Sequence, residues 1–304
     1  MGKYLDPKAD LTFKRVFGEH ADLLKSFLNA VLPLENGTEI LSLEYLSPEM
    51  IPDNPAKKYS IVDVQCHDNL GRQFIVEMQM YWNGEFLKRT LFNASKAFVR
   101  PLTKGKDYDE LREVYSLSIV NDIAFPEQED KFYHRYILTD TADRKYTING
   151  FELIFVELPK FTPSSISDKK MQALWLRFLT EIDTQTHEAP KDMLDNKDVS
   201  KALEIVEQGA YTDAQMMAYD KFWDEIRSER TLLKGSFKLG LEKGMEEGMK
   251  KGMKKGREEG MKEGMEQGQK MRAKEIACNL KSLGLTTKQI IKATGLSEEE
   301  INSL

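Results

Sequence analysis

Asp63 on one short segment, and Glu77, Met78 and Gln79 on the next, have the residue types and spacing of a site for a hard divalent cation. The stretch Tyr59–Cys66 reads as a strand, His67–Arg72 as a turn, and Gln73–Met80 as a returning strand. Strands joined this tightly pair antiparallel. With the turn centred on Leu70, opposed residue numbers sum to 140, so Asp63 faces Glu77 on one side of the sheet. Adjacent carboxylates repel unless one is protonated or a cation lies between them, and Mg²⁺ is held by one or two carboxylates together with substrate phosphate. Gln79, two residues beyond Glu77, points the same way. A turn centred between two residues would send the acids to opposite faces, leaving ordinary solvated acids on a strand.

The elements that must position this hairpin follow from hydrophobic spacing. Asp10–Phe17 reads as a short helix with Phe13, Val16 and Phe17 buried, and Asp10 lies near its start as a capping or first-turn acid. Residues 21–31 repeat the pattern through Leu23, Leu24, Phe27, Leu28 and Val31, and Pro33 closes that helix. Residues 40–46 read as a strand and 48–55 as a loop. A helix is expected over 84–100, with Leu87, Leu91, Ala94 and Phe98 on its apolar face and Arg89, Asn93, Lys96 and Arg100 opposite. Val114–Val120 and Glu152–Leu158 are further strands, the second apolar enough to be fully buried. Helix, three strands, helix and strands describe an α/β sheet domain over 1–165. A helical layer over 166–233 follows, with Met171, Leu174, Trp175, Phe178, Leu179 and Ile182 at helix spacing.

Glycine then recurs at every fourth position from Gly240 to Gly268, separated mostly by Met or Leu and two charged residues. Eight glycines, at about 1 kcal/mol each against alanine, leave such a helix marginal without a partner. The stripe also gains about 40° per step on a 3.6-residue helix, so it winds around it. The tract over 234–272 is therefore either a self-association element or a charged, partly helical spacer. Residues 273–304 form a small helical module, divided at Gly284 and Gly295, with Ser297 and Glu300 as a capping box. Its last helix opens on Glu298, Glu299 and Glu300, which phosphates would repel, so it reads as an interaction module and not as a DNA reader.

The 304 residues carry a net charge of -6. From Lys234 onward 15 Lys and Arg face 11 Glu, whereas the preceding chain has 29 basic and 39 acidic residues. The acidic body argues against a large basic nucleic-acid face, so such binding must rest on a local cluster or a metal. No apolar run spans a membrane and the N-terminus lacks a secretory pattern, so a cytoplasmic address is expected. Cys66 and Cys278 are too far apart in sequence, and too few, for a cysteine-based metal centre. His20, His67, His134 and His187 match no ligand or triad spacing.

Asp10-x-x-Phe13-Lys14, Asp63, Glu77-x-Gln79, Arg89, the run Phe155–Phe161 and the glycine-repeat tail together resemble the Rpn family of recombination-promoting nucleases, or PD-(D/E)XK nuclease family transposases. The resemblance covers essentially the whole chain. It implies a restriction-endonuclease-like α/β core with a mixed central sheet flanked by helices, followed by an all-helical extension. It further implies a Mg²⁺-dependent DNA endonuclease, Mn²⁺ or Ca²⁺ being alternative ions, with Asp63, Glu77 and the Met78 carbonyl as metal ligands. Asp10 would be a helix-borne acid at the edge of the site. Gln79 stands where the wider superfamily has lysine, a replacement usual in this family; Lys14 and Arg89 are candidates for the missing positive charge. DNA is the implied substrate, a homo-oligomer through the C-terminal tract the implied assembly, and recombination, transposition or phage defence the implied setting. The competing reading is a nucleic-acid- or protein-binding oligomeric module whose nuclease site is weak or lost.

Overall fold

A computed structural model describes residues 3–35, 37–47, 49–50, 60–61, 63–102, 107–163 and 170–304. The chain divides into two compact units, Met1–Arg230 and Thr231–Leu304. The first is built on a six-stranded mixed sheet. Its strands are β1 (Leu43–Leu46), β4 (Val64–Asp68), β5 (Gln73–Gln79), β6 (Val114–Val120), β7 (Tyr133–Thr139) and β8 (Thr147–Glu157), in the spatial order β1-β4-β5-β6-β8-β7. β5, β6 and β8 run parallel at the centre, while β1, β4 and β7 are antiparallel to their neighbours. Two short strands, β2 (Glu49–Met50) and β3 (Ser60–Ile61), pair separately. β6 is buried along its whole length, as its apolar sequence requires.

One face of the sheet carries the main core. There α1 (Asp10–Phe13) runs into a π-turn at Lys14–Gly18, followed by α2 (Ala21–Val31). Phe17 from this stretch, itself packed on Phe13, and Phe27 from α2 meet Trp175 of α4 (Lys170–Glu181), with ring centroids 4.8 Å apart for Phe17 and Phe27 and 5.6 Å for Phe17 and Trp175. The short α5 (Lys191–Leu194) and α6 (Lys197–Ile205) close the layer through Met193, Val199, Ala202 and Leu203. Tyr219, near the start of α7 (Asp213–Ser282), packs with Leu5, Ala9 and Tyr211, and its hydroxyl oxygen accepts the Asp6 N–H at 3.0 Å.

The opposite face is covered by α3 (Gly84–Val99), capped by Asn83, whose side chain accepts the Phe86 N–H. This helix corrects the sequence reading. Leu87 and Leu91 are 40% and 53% exposed, and the buried side consists of Phe86, Thr90, Asn93, Ala94 and Ala97. Two polar residues go inward because each finds a partner there: Thr90 donates to the Phe86 carbonyl at 3.0 Å and Asn93 donates to Glu77 at 2.9 Å. Ala94 and Ala97 let the helix approach the sheet, and Phe98 packs on Phe151 with centroids 4.6 Å apart.

Hairpin pairing follows the expected sum: Val64 faces Val76, Gln65 faces Ile75, and Cys66 faces Phe74. The extended segment is shorter than its composition suggested, since the chain bends at Asp63 and β4 begins only at Val64. Residue 62 and most of the expected 48–55 loop lie outside the described residues. β7 and the first part of β8 are largely exposed, which explains why apolar patterning did not announce them. Cys66 is buried, and burial pushes its thiol up to about 12.

In the second unit, residues 231–282 are helical throughout, and every glycine from Gly240 to Gly268 has open space where a side chain would go. Met245, Met249, Met253, Met261 and Met265 are exposed. The end of α7 forms a small core with α8 (Thr287–Thr294) and α9 (Glu298–Asn302) through Ala277, Ile290, Leu296 and Ile301. Gly284 and Gly295, with φ of +83° and +72°, make the turns between these helices. No helix among the described residues is long and apolar enough to cross a membrane.

Candidate active site

Beyond the last ladder pair of β4 and β5, the next residues outward are Asp63 and Glu77. Asp63 sits at the bend, half-buried, and its Oδ2 accepts the Met78 N–H at 2.6 Å. A residue's N–H and C=O leave a strand on the same side, so the Met78 carbonyl also points away from β6, toward Asp63. Glu77 is buried. Its Oε1 accepts from Asn93 Nδ2 at 2.9 Å, and its Oε2 lies 3.7 Å from Arg89 Nη2. Burial, followed by the charge of Asp63, pushes the Glu77 carboxyl up to about 7. Burial likewise pushes Asp63 up to about 6, against the donated Met78 N–H, which holds it down.

Gln79 is anchored at both ends: Arg89 Nη2 donates to its Oε1 at 2.8 Å, and its Nε2 donates to the Tyr81 carbonyl at 2.6 Å. The Arg89 guanidinium lies over the Phe86 ring, 4.8 Å from the centroid. Arg89 therefore brings one positive group to both Gln79 and Glu77. On the other side, Lys14 and Asp10 form an i,i+4 ion pair at 2.7 Å, and both charges act on Asp63. Asp10 does not cap α1; Ala9 occupies that position.

Three residues join this cluster that chemistry-first reading of the sequence passed over. Asn93 is fully buried beside Glu77, Ser118 is the β6 register partner of Glu77, and Gln65 lies on the Asp63 side of β4. Asn93 Oδ1, Ser118 Oγ and both amide atoms of Gln65 are buried without a hydrogen-bond partner among the described residues. The available signal was local: Ser116 and Ser118 interrupt an apolar strand, and Asn93 follows Arg89 by one helical turn. Buried orphan polar groups gather where an ion or ordered water belongs. Two carboxylates, a carbonyl and these groups form an all-oxygen and amide donor set suited to a hard cation. No cluster of three or more His, Cys, Asp or Glu placed to hold a metal exists among the described residues.

A separate buried network lies at the end of β8. Glu157 accepts from His134 Nε2 at 2.9 Å, from Lys160 Nζ at 2.9 Å and from the Ala124 N–H at 3.0 Å. Lys160 also donates to the Phe125 and Gln128 carbonyls. The Phe155–Phe161 run thus ties the connection after β6 to the sheet. His134 is held neutral-prone by burial, which lowers its pKa.

A mixed six-stranded sheet flanked by helices, with an acid pair at the end of an antiparallel hairpin, defines a restriction-endonuclease-like α/β core. Residues 7–232 match the family described as PD-(D/E)XK nuclease family transposase, and the chain belongs to that family. No curated protein matches the chain, and no solved structure does.

Proposed function

We propose that this protein is a metal-dependent DNA endonuclease that hydrolyses phosphodiester bonds. The observation that carries the reading is the Asp63–Glu77 pair, raised together in a low-dielectric corner and each holding one oxygen in a side-chain or backbone hydrogen bond. Asp63, Glu77 and the Met78 carbonyl would hold Mg²⁺. When bound, such an ion lowers the pKa of a water and offsets charge on a phosphate. The protein's own groups do the positioning: Met78 N–H orients Asp63, and Asn93 orients Glu77. Arg89 supplies the positive charge that a lysine at position 79 would otherwise bring, while Gln79 fixes the guanidinium. Lys14, balanced by Asp10, adds a second cation at the opposite rim.

Purified protein should nick supercoiled plasmid with Mg²⁺ or Mn²⁺ and leave it intact in EDTA. Asp63→Ala and Glu77→Ala should each remove that activity while far-ultraviolet circular dichroism stays unchanged. Retained cleavage in either variant would end this assignment. The second reading, an oligomeric binding module with a weak or lost site, draws on the acidic body and on a Gln79 whose amide is committed at both ends. It predicts no saturable Mg²⁺ or Mn²⁺ binding dependent on Asp63, which calorimetric titration of wild type and Asp63→Ala decides.

A further inference from the structure

We propose that the outer edge of β7 pairs with the same strand of a second copy of this chain, antiparallel about a two-fold axis opposite Tyr136, so that two sheets become one.

β7 ends the sheet, and no strand pairs with its outer side among the described residues. Open edges invite pairing with another chain, and proteins ordinarily blunt them with short strands, lysine, proline or inward charges. The opposite edge is handled that way, because β1 has four residues and carries Glu44. β7 has seven residues with neither proline nor lysine, and its one permanently charged side chain, Arg135, is held by both oxygens of Glu152 at 2.7 Å. Tyr136, Ile137 and Leu138 are 42%, 40% and 51% exposed there.

The backbone fixes how such an edge can pair. The Phe132 carbonyl accepts the Glu157 N–H at 2.8 Å and the Asp140 N–H donates to the Tyr146 carbonyl at 2.9 Å, so both ends of the strand turn even-numbered residues toward β8. The N–H and C=O of one residue leave a strand on the same side, and sides alternate. Tyr133, Arg135, Ile137 and Thr139 therefore present theirs outward. The register shift at Ile137/Leu138 keeps this order, since their partners are Glu152 and Ile148 and the extra residues belong to β8. An axis opposite Tyr136 sets Tyr133 against Thr139 and Arg135 against Ile137 of the second copy, which uses every outward group. Tyr136 then meets its own counterpart at a non-hydrogen-bonded position, where side chains come closest.

Charge at the strand ends agrees with this pairing and favours a second copy over a foreign segment. The hairpin tip 140–146 of one copy would run past residues 129–132 of the other. Asp140 and Asp143 turn their carboxylates onto backbone N–H groups of the tip, leaving Arg144 and Lys145 exposed without an ion pair among the described residues. Glu129 and Asp130 are likewise exposed and unpaired, and with Lys131 beside them that turn stays net negative. Cations of each tip thus face acids of the other copy, twice by symmetry.

The test uses the full chain with Cys278, the exposed native cysteine, changed to serine. Tyr136→Cys in that background should give a disulfide-linked dimer on mild copper-phenanthroline oxidation, because Cα atoms at such a position lie about 4.5 Å apart, within disulfide reach. Leu138→Cys should link at most one tenth as fast, its counterpart lying four residues along the ladder, about 13 Å away. Ile137→Pro removes an outward N–H that β8 does not use, and should abolish the Tyr136→Cys link with circular dichroism unchanged. Ile137→Lys keeps the backbone intact and should slow the link at least tenfold. Arg144→Glu with Lys145→Glu should slow it about tenfold at about 0.1 M salt, and adding Glu129→Lys with Asp130→Lys should restore it. No link at Tyr136→Cys overturns the proposal, as does equal linking at Leu138→Cys, a rate indifferent to Ile137→Lys, or a charge swap that restores nothing. Association on sedimentation that persists without this link overturns it equally, by assigning self-association to another part of the chain. None of these readouts depends on cleavage, so the nuclease reading stands or falls separately.

Discussion

At the residue scale, Glu77 and Asp63 titrate close to neutrality in the metal-free protein, at about 7 and about 6. Both carboxyls bind their proton more tightly in the folded chain than in the unfolded one. Their contribution to stability is therefore full below about pH 4 and is lost as pH rises through 6 to 7. In EDTA, Glu77→Gln should melt above wild type at pH 8, by on the order of 3 kcal/mol, and the difference should shrink toward pH 5. A pH-independent difference in thermal melts would contradict the burial of this acid. Asn93 tests positioning by a second route. Asn93→Ala frees Glu77 Oε1 and should lower plasmid cleavage about 10- to 100-fold, the usual cost of losing a group that orients a metal ligand. A cleavage rate equal to wild type would show that Glu77 needs no such support.

Among the elements, β8 and the turn that follows it carry the clearest stability prediction. Glu157 is wholly buried among His134, Lys160 and a backbone N–H. Lys160→Met would leave that carboxylate short of its cationic partner and should cost about 3–5 kcal/mol, measurable by urea unfolding. An unchanged midpoint would mean that His134 alone neutralises Glu157. The same elements show what could be read from sequence. The β4–β5 register was legible because a tight turn and a period of two leave few pairings. The inward side of α3 was not, because Leu87 and Leu91 outweighed Asn93 and Thr90 in any apolar count. Hydrophobic spacing has no means of registering that Glu77, a distant acid, supplies Asn93 with a buried partner. Nor does it register that β8 pairs with an exposed edge strand such as β7, whose residues carry little apolar signal.

For the molecule as a whole, the division at Arg230 makes the two units separable in experiment. Residues 1–230 retain the sheet, both helical faces and the Tyr219 and Trp223 contacts, so this fragment should unfold cooperatively by itself. Non-cooperative melting would place part of the first unit's stability in the remainder of the chain. In the second unit, the open space at Gly248, Gly252 and Gly256 admits a methyl group. Alanine at all three should raise helical ellipticity and stabilise the tract by about 1 kcal/mol per site. Weakened self-association on sedimentation despite greater helicity would show that bare backbone is itself the contact surface.

Asp63 Oδ2 accepts the Met78 N–H and Glu77 Oε1 accepts from Asn93, so each carboxylate is fixed in orientation before any cation arrives. Acids held in advance would suit an ion that demands near-ideal octahedral geometry more than a larger one that takes ligands in flexible arrangements. Ca²⁺ should accordingly gain less than Mg²⁺ from this corner, and the discrimination would reside in two hydrogen bonds and not in the acids themselves.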